Sequence, residues 1–169
     1  MKNVFKKIIC VFFAISMVMT MAVSASANEK DSFEEYVRFD SEPQDGIMPL
    51  MESNGDFIFE IEANTTSAKF VADSDTVKIK TKAYLYSVAT GENIYDIDRK
   101  YTITLYKDGW LWDSEVGVLT AYSDWIDYSA EFSVKEGSTY YFRVAVSTSL
   151  VSTPYIMKGQ GNISPITLK

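Results

Sequence analysis

Histidine is absent from the 169 residues, and cysteine occurs once, as Cys10. The first absence removes imidazole as a general base, the Ser-His-Asp triad and imidazole metal ligands. The second leaves no partner for an intrachain disulfide and no thiolate set for zinc. Long apolar runs are nearly absent too. There is one, from Ile8 to Val23, interrupted by Ser16 and Thr20. No segment sustains a helical period, so very low helical content is expected.

The single apolar run has the flanks of an export signal. Lys2, Lys6 and Lys7 precede it, and Ala25 and Ala27 follow in the −3 and −1 places of an A-x-A cleavage site. At 16 residues it is short of the roughly 20 that span a bilayer as a helix. Residues 1–27 are therefore read as a signal helix removed on export, with an uncleaved anchor as the alternative. The remainder is expected to be extracellular, with no membrane span and, once Cys10 is lost, no thiol chemistry.

Basic residues are the next deficit. The first 27 residues hold three of the 16 basic residues and none of the 23 acidic ones, which leaves a net charge of −10 afterwards. Such a surface repels nucleic-acid phosphates and anionic lipid, and is compatible with cations or neutral glycans. Residues 28–55 concentrate the acidity, with eight acids against Lys30 and Arg38. This stretch reads as a mobile acidic arm or pro-segment. Its alternative is a docked short helix with Ser32 and Glu35 as a capping box and Phe33, Tyr36 and Val37 on one side.

From residue 56 the pattern is that of strands. Phe57, Phe59 and Ile61 alternate with polar neighbours, and Val77, Ile79, Thr81, Ala83 and Leu85 form one face of a longer run. Lys78, Lys80 and Lys82 fall on the opposite face, toward water. Residues 89–93 form a loop. Tyr101, Ile103 and Leu105 lead to Asp108-Gly109, which predicts a two-residue type I′ hairpin. Later strands are expected at 127–134, 138–147 and 163–168. Residues 56–169 thus form an antiparallel β-sandwich domain.

Val134-Lys135-Glu136-Gly137-Ser138-Thr139-Tyr140-Tyr141-Phe142-Arg143-Val144-Ala145-Val146 resembles the sixth strand of fibronectin type III and related immunoglobulin-like sandwiches. Residues 101–106 resemble that family's third strand, and residues 159–168 its last. The resemblance implies about seven strands and makes Tyr140 a corner tyrosine whose hydroxyl ties back to upstream backbone. The second-strand tryptophan is replaced by Tyr84 or Tyr86, and the proline-marked start is missing. Members of such families are mostly binding modules or spacers.

With histidine and thiols gone, carboxylate pairs, Ser-Lys pairs and oxygen-ligated calcium remain. Asp73/Asp75 and Asp96/Asp98 have a spacing seen in some calcium sites, but solvated acidic loops are the simpler reading, and no cofactor or metal is expected. The aromatics are the better lead, since Trp and Tyr on a sandwich surface can stack on sugar rings. Across a two-residue turn Lys107 pairs with Trp110 and Leu105 with Trp112, so Trp112 is expected in the core and Trp110 at the tip. Tyr106 and Leu111 would then share the outer face. Trp125, in a turn-rich stretch, is expected to be exposed. The apolar segment 147–157, with Tyr155, reads as an extra edge strand or a recognition loop. The reading is a secreted, noncatalytic sandwich that binds an unidentified protein or glycan at the cell surface. Its rivals are a carbohydrate-binding module using Trp110, Trp125 or Tyr155, a carboxylate hydrolase, and self-assembly through strand edges.

Overall fold

The computed structural model describes residues 33–39 and 55–169. The signal segment with Ala25 and Ala27, and most of the acidic arm, lie outside the described residues. Glu34–Lys169 forms one unit. Its strands are β1 (Tyr36–Phe39), β2 (Asp56–Ile61), β3 (Asn64–Thr66), β4 (Phe70–Ala72), β5 (Thr76–Ser87) and β6 (Asn93–Ile94). They continue as β7 (Asp96–Lys107), β8 (Ser114–Ser123), β9 (Tyr128–Ser133), β10 (Thr139–Val146), β11 (Tyr155–Ser164) and β12 (Ile166–Leu168). No helix occurs among the described residues.

The strands make two antiparallel sheets. The first runs β1-β2-β11-β5-β6 with β9 also on β5, and the second runs β12-β4-β10-β7-β8 with β3 also on β10. Alternation decides which side chains face inward. In β5, Val77, Ile79, Thr81, Ala83 and Leu85 are all buried, as their period of two requires. Between the sheets the aromatic rings interlock. Phe57 lies 4.7 Å from Phe142, and Phe39 meets Phe57, Phe70 and Phe142 edge-on. Each such ring contributes about 1.5–3 kcal/mol by leaving water. The buried Tyr101 hydroxyl is satisfied by Thr81 Oγ1 at 3.1 Å, and burial pushes its pKa well above the ordinary value.

Four expectations are corrected. Residues 36–39, read as part of the arm or of a short helix, form a strand on the free edge of β2. Val37 pairs with Phe59 and Phe39 with Phe57, which extends the apolar seam by one strand. Glu35, expected in a capping box, instead accepts the backbone N–H groups of Glu62, Ala63 and Asn64. The Asp108-Gly109 turn is not type I′, because Gly109 has no positive φ and the loop runs over residues 108–113. The six-residue loop pairs Lys107 with Ser114, so Trp112 lies in the loop and not in the core. Trp110, Leu111 and Trp112 are 95%, 69% and 85% exposed.

A further correction concerns the last strands. Of the segment 147–157, read as an edge strand or a recognition loop, residues 147–154 form a loop and residues 155–157 begin β11, which lies inside the sheet between β2 and β5. Chain direction then breaks at Pro165, and β12 joins the opposite sheet. In the immunoglobulin arrangement the last two strands share a sheet. Here β10 and β11 lie in different ones. The two-sheet sandwich stands, while its strand order departs from the resemblance and its strands outnumber the seven expected. The corner contact is present, since the Lys135 N–H donates to Tyr140 Oη at 2.7 Å.

Candidate functional site

The inward alternation of β5 turns Lys82, Tyr84 and Tyr86 to the outer face of the first sheet. Register then sets a row across four strands. Tyr84 stands opposite Lys158, Lys158 opposite Glu60, and Glu60 opposite Tyr36. Lys158 Nζ lies 3.1 Å from Glu60 Oε1 and 4.5 Å from the Tyr86 ring centroid. Partial burial and the neighbouring Glu60 raise the Tyr36 pKa.

Trp125 completes this face from another part of the chain. Asp124 forms a bridge to Tyr84, and the Trp125 N–H donates to the Ala83 carbonyl at 2.9 Å. Asp124 also accepts the Ile126 N–H at 3.1 Å and the Tyr128 hydroxyl at 2.7 Å. That last bond pushes the Tyr128 pKa up to about 12. The geometry places Trp125 at φ 63°, in the left-handed region that side chains with a Cβ rarely adopt. Its indole, expected to be exposed, is half-buried: it meets Tyr84 edge-on at 5.1 Å, and Lys82 Nζ lies 4.5 Å from its centroid. Together with Tyr36, Glu60, Lys158 and Gln160 it lines an open depression of about 180 Å³.

The depression sets the aromatic side chains of Tyr36, Tyr84 and Trp125 beside a small group of polar ones, Glu60, Lys158 and Gln160. Glu60 is the one carboxylate among its lining residues. Outside the depression, two lysines of the same face are paired with carboxylates, Lys80 with Asp127 at 2.9 Å and Lys78 with Glu131 at 3.7 Å. The Lys80 ammonium holds the Asp127 carboxyl below its ordinary value.

Of the three aromatics proposed from sequence, only Trp125 belongs here. Tyr155 pairs with buried Ser87 and shares the inward phase of Met157, so it sits at the rim of the inter-sheet space. Trp110 precedes β8 and Trp125 follows it, which separates them by about 30 Å at 3.3 Å per residue. Tyr36, Tyr84 and Lys158 were missed. The two-residue period of β5 carries the signal for Tyr84, whereas Tyr36 falls in the stretch read as a mobile arm or, alternatively, a docked helix.

The acidic loops are engaged locally. Asp96 accepts the Asp98 N–H at 2.9 Å, Asp73 the Thr167 hydroxyl at 3.0 Å, and Asp75 the Glu136 N–H at 3.3 Å. Among the described residues no group of three or more Asp, Glu, His or Cys converges on a metal position. Nor is any helix there long and apolar enough to cross a membrane.

No protein-family model matches the chain, and no curated protein matches it. Solved structures with some likeness include the xylanase Xyn10B of Clostridium thermocellum, CBM22-1 and GH10 modules, complexed with xylohexaose. That match has a TM-score of 0.36 and 11% identity, over 80% of this chain and 25% of the other. A CBM4 structure gives 0.32 and 7%, over 69% and 84%. The C-terminal domain of EclA, a sugar-binding protein, gives 0.32 and 14%, over 73% and 88%. This chain thus spans a quarter of the xylanase chain. At such TM-scores no functional conclusion follows from the likeness.

Proposed function

We propose that this chain is an exported, noncatalytic module that binds a glycan on the outer face of its first sheet. The observation that carries the reading is Trp125. It is locked at a positive φ, backed edge-on by Tyr84, and set in an open depression beside Gln160, Glu60 and Lys158. Backbone strain of this kind costs roughly 1–3 kcal/mol and is concentrated at functional positions. Pyranose rings offer an apolar C–H face for stacking and hydroxyls for the polar rim, which matches an aromatic floor with few polar groups.

The noncatalytic half is supported by the carboxylate inventory. A glycosidase sets two carboxyls roughly 5–9 Å apart across the scissile bond. This depression offers Glu60 alone, and Lys158 neutralises it. Export is supported by the charge, apolar run and Ala25/Ala27 order of the first 27 residues.

Affinity electrophoresis through gels containing soluble xylan, β-glucan or pectin tests the binding half. The chain is expected to be retarded by at least one polymer, W110S/W112S equally so, and W125A not at all. Equal mobility of the unaltered chain and W125A in every gel would remove the basis of the reading.

A further inference from the structure

The Trp110-Leu111-Trp112 tip lies a strand length from the depression and has no part in it. Three large apolar side chains exposed at 95%, 69% and 85% are uncommon, and this loop is built to hold them out. The Asp108 N–H donates to the Thr139 carbonyl at 2.9 Å, and the Asp108 carboxylate pairs with Lys69 at 2.8 Å. Asp113 accepts the Gly109 N–H at 3.2 Å and the Tyr141 hydroxyl at 2.9 Å. Both flanking carboxylates are therefore turned back onto the body of the domain. The loop folds so tightly that a Cβ on Gly109 would strike the Trp112 carbonyl, which restricts the position to glycine.

We infer that this tip inserts into the interfacial layer of an uncharged or zwitterionic phospholipid surface. Four features select that partner. Three side chains of this size cover roughly 500 Å², short of the ~800 Å² per partner that a stable protein interface buries, whereas insertion needs no complementary surface. The tip is convex, and its two acids are already engaged, so it lacks the polar rim a sugar requires. Indole rings partition to the headgroup level, the ring among the chains and the N–H toward water. The net charge, −7 for the whole chain and −10 without its first 27 residues, disfavours anionic lipid and leaves zwitterionic lipid.

The experiment uses the full chain with W125F, which leaves Trp110 and Trp112 as its only tryptophans. Its emission therefore ignores the apolar run at residues 8–23, which holds no tryptophan. With phosphatidylcholine vesicles the emission is expected to shift to the blue and to be quenched by brominated phosphatidylcholine. In the otherwise unaltered chain, W110S/W112S should lower vesicle co-sedimentation by about tenfold or more, the scale set by two interfacial anchors. Its urea midpoint should be unchanged, which separates lost binding from lost folding. Emission indifferent to vesicles would overturn the inference. So would a blue shift that appears only with polysaccharide, or one that grows with protein concentration alone and marks self-association.

Discussion

Gly159 and Gly161 sit in the interior strand β11, where a glycine ordinarily weakens a sheet. Their neighbours give the reason. A Cβ built on Gly159 falls into the Phe59 ring and 2.8 Å from the Lys82 carbonyl, and one on Gly161 meets the Phe57 ring and the Lys80 carbonyl. The two phenyl rings lie across the bare backbone and pack inward, Phe59 5.7 Å from Tyr101. In Gly159→Ala the Phe59 ring must move or the strands must part. Such overpacking costs about 1–3 kcal/mol, offset by the roughly 0.5–1 kcal/mol that alanine gains over glycine in a strand. The net ranges up to a loss of about 2.5 kcal/mol, and the clash with the Lys82 carbonyl as well as the ring puts this site in its upper part, about 1–2 kcal/mol. With an m-value near 2 kcal/mol/M, the urea midpoint should fall by about 0.5–1 M at constant m. Phe59→Ala alone should cost about 3–5 kcal/mol. It also removes the ring that alanine would strike, so the double variant should be more stable than the summed singles by at least about 1 kcal/mol. A Gly159→Ala midpoint at or above the unaltered one, or strict additivity, would refute this account of β11.

The corner contact should be measurable: Tyr140→Phe deletes the acceptor of the Lys135 N–H and should cost about 1–2 kcal/mol in urea unfolding. Glu35→Ala strips the acceptor from three backbone N–H groups at the turn after β2 and should cost about 1–3 kcal/mol, with Glu35→Gln milder because one acceptor oxygen survives. The Asp113 carboxyl is held below its ordinary 3.8 by the Gly109 N–H and then by the Tyr141 hydroxyl. A folded pKa below the unfolded one gives stabilisation that is complete above the unfolded value and is lost as pH falls through the folded one. The Gly109 amide proton should therefore titrate with a midpoint below 3.8, and Asp113→Asn should abolish that titration while leaving the amide visible in the NMR spectrum.

Much of the sandwich was legible because alternation depends on local sequence alone. Val77 to Leu85 point inward, and Lys78 and Lys80 outward, wherever the partner strands fall. What alternation cannot supply is register and partner choice. Tyr36–Phe39 carries only two inward positions, too few to separate a strand from a helical turn until Phe57 and Phe59 stand beside it. The Asp108-Gly109 pair carries a strong turn signal, yet the loop runs over six residues instead of two, which pairs Lys107 with Ser114 and puts Trp112 beside Trp110 at the tip. For the same reason the candidate site was only half legible. Trp125 was named, but Tyr84, Lys158, Glu60 and Tyr36 meet it through pairings among four strands far apart in sequence.

The central claim is that Trp125 is the contact point for a glycan. A W110F/W112F chain makes Trp125 the only fluorophore of its kind, so its emission reports the depression alone. Titration with the polysaccharide that retards the chain should give a saturable spectral shift and protection from acrylamide. Tyr84→Ala should weaken the apparent Kd by about tenfold or more, near 1.4 kcal/mol, as expected for an aromatic hot spot. An emission spectrum and quenching constant unmoved by that polysaccharide at saturation would contradict the claim.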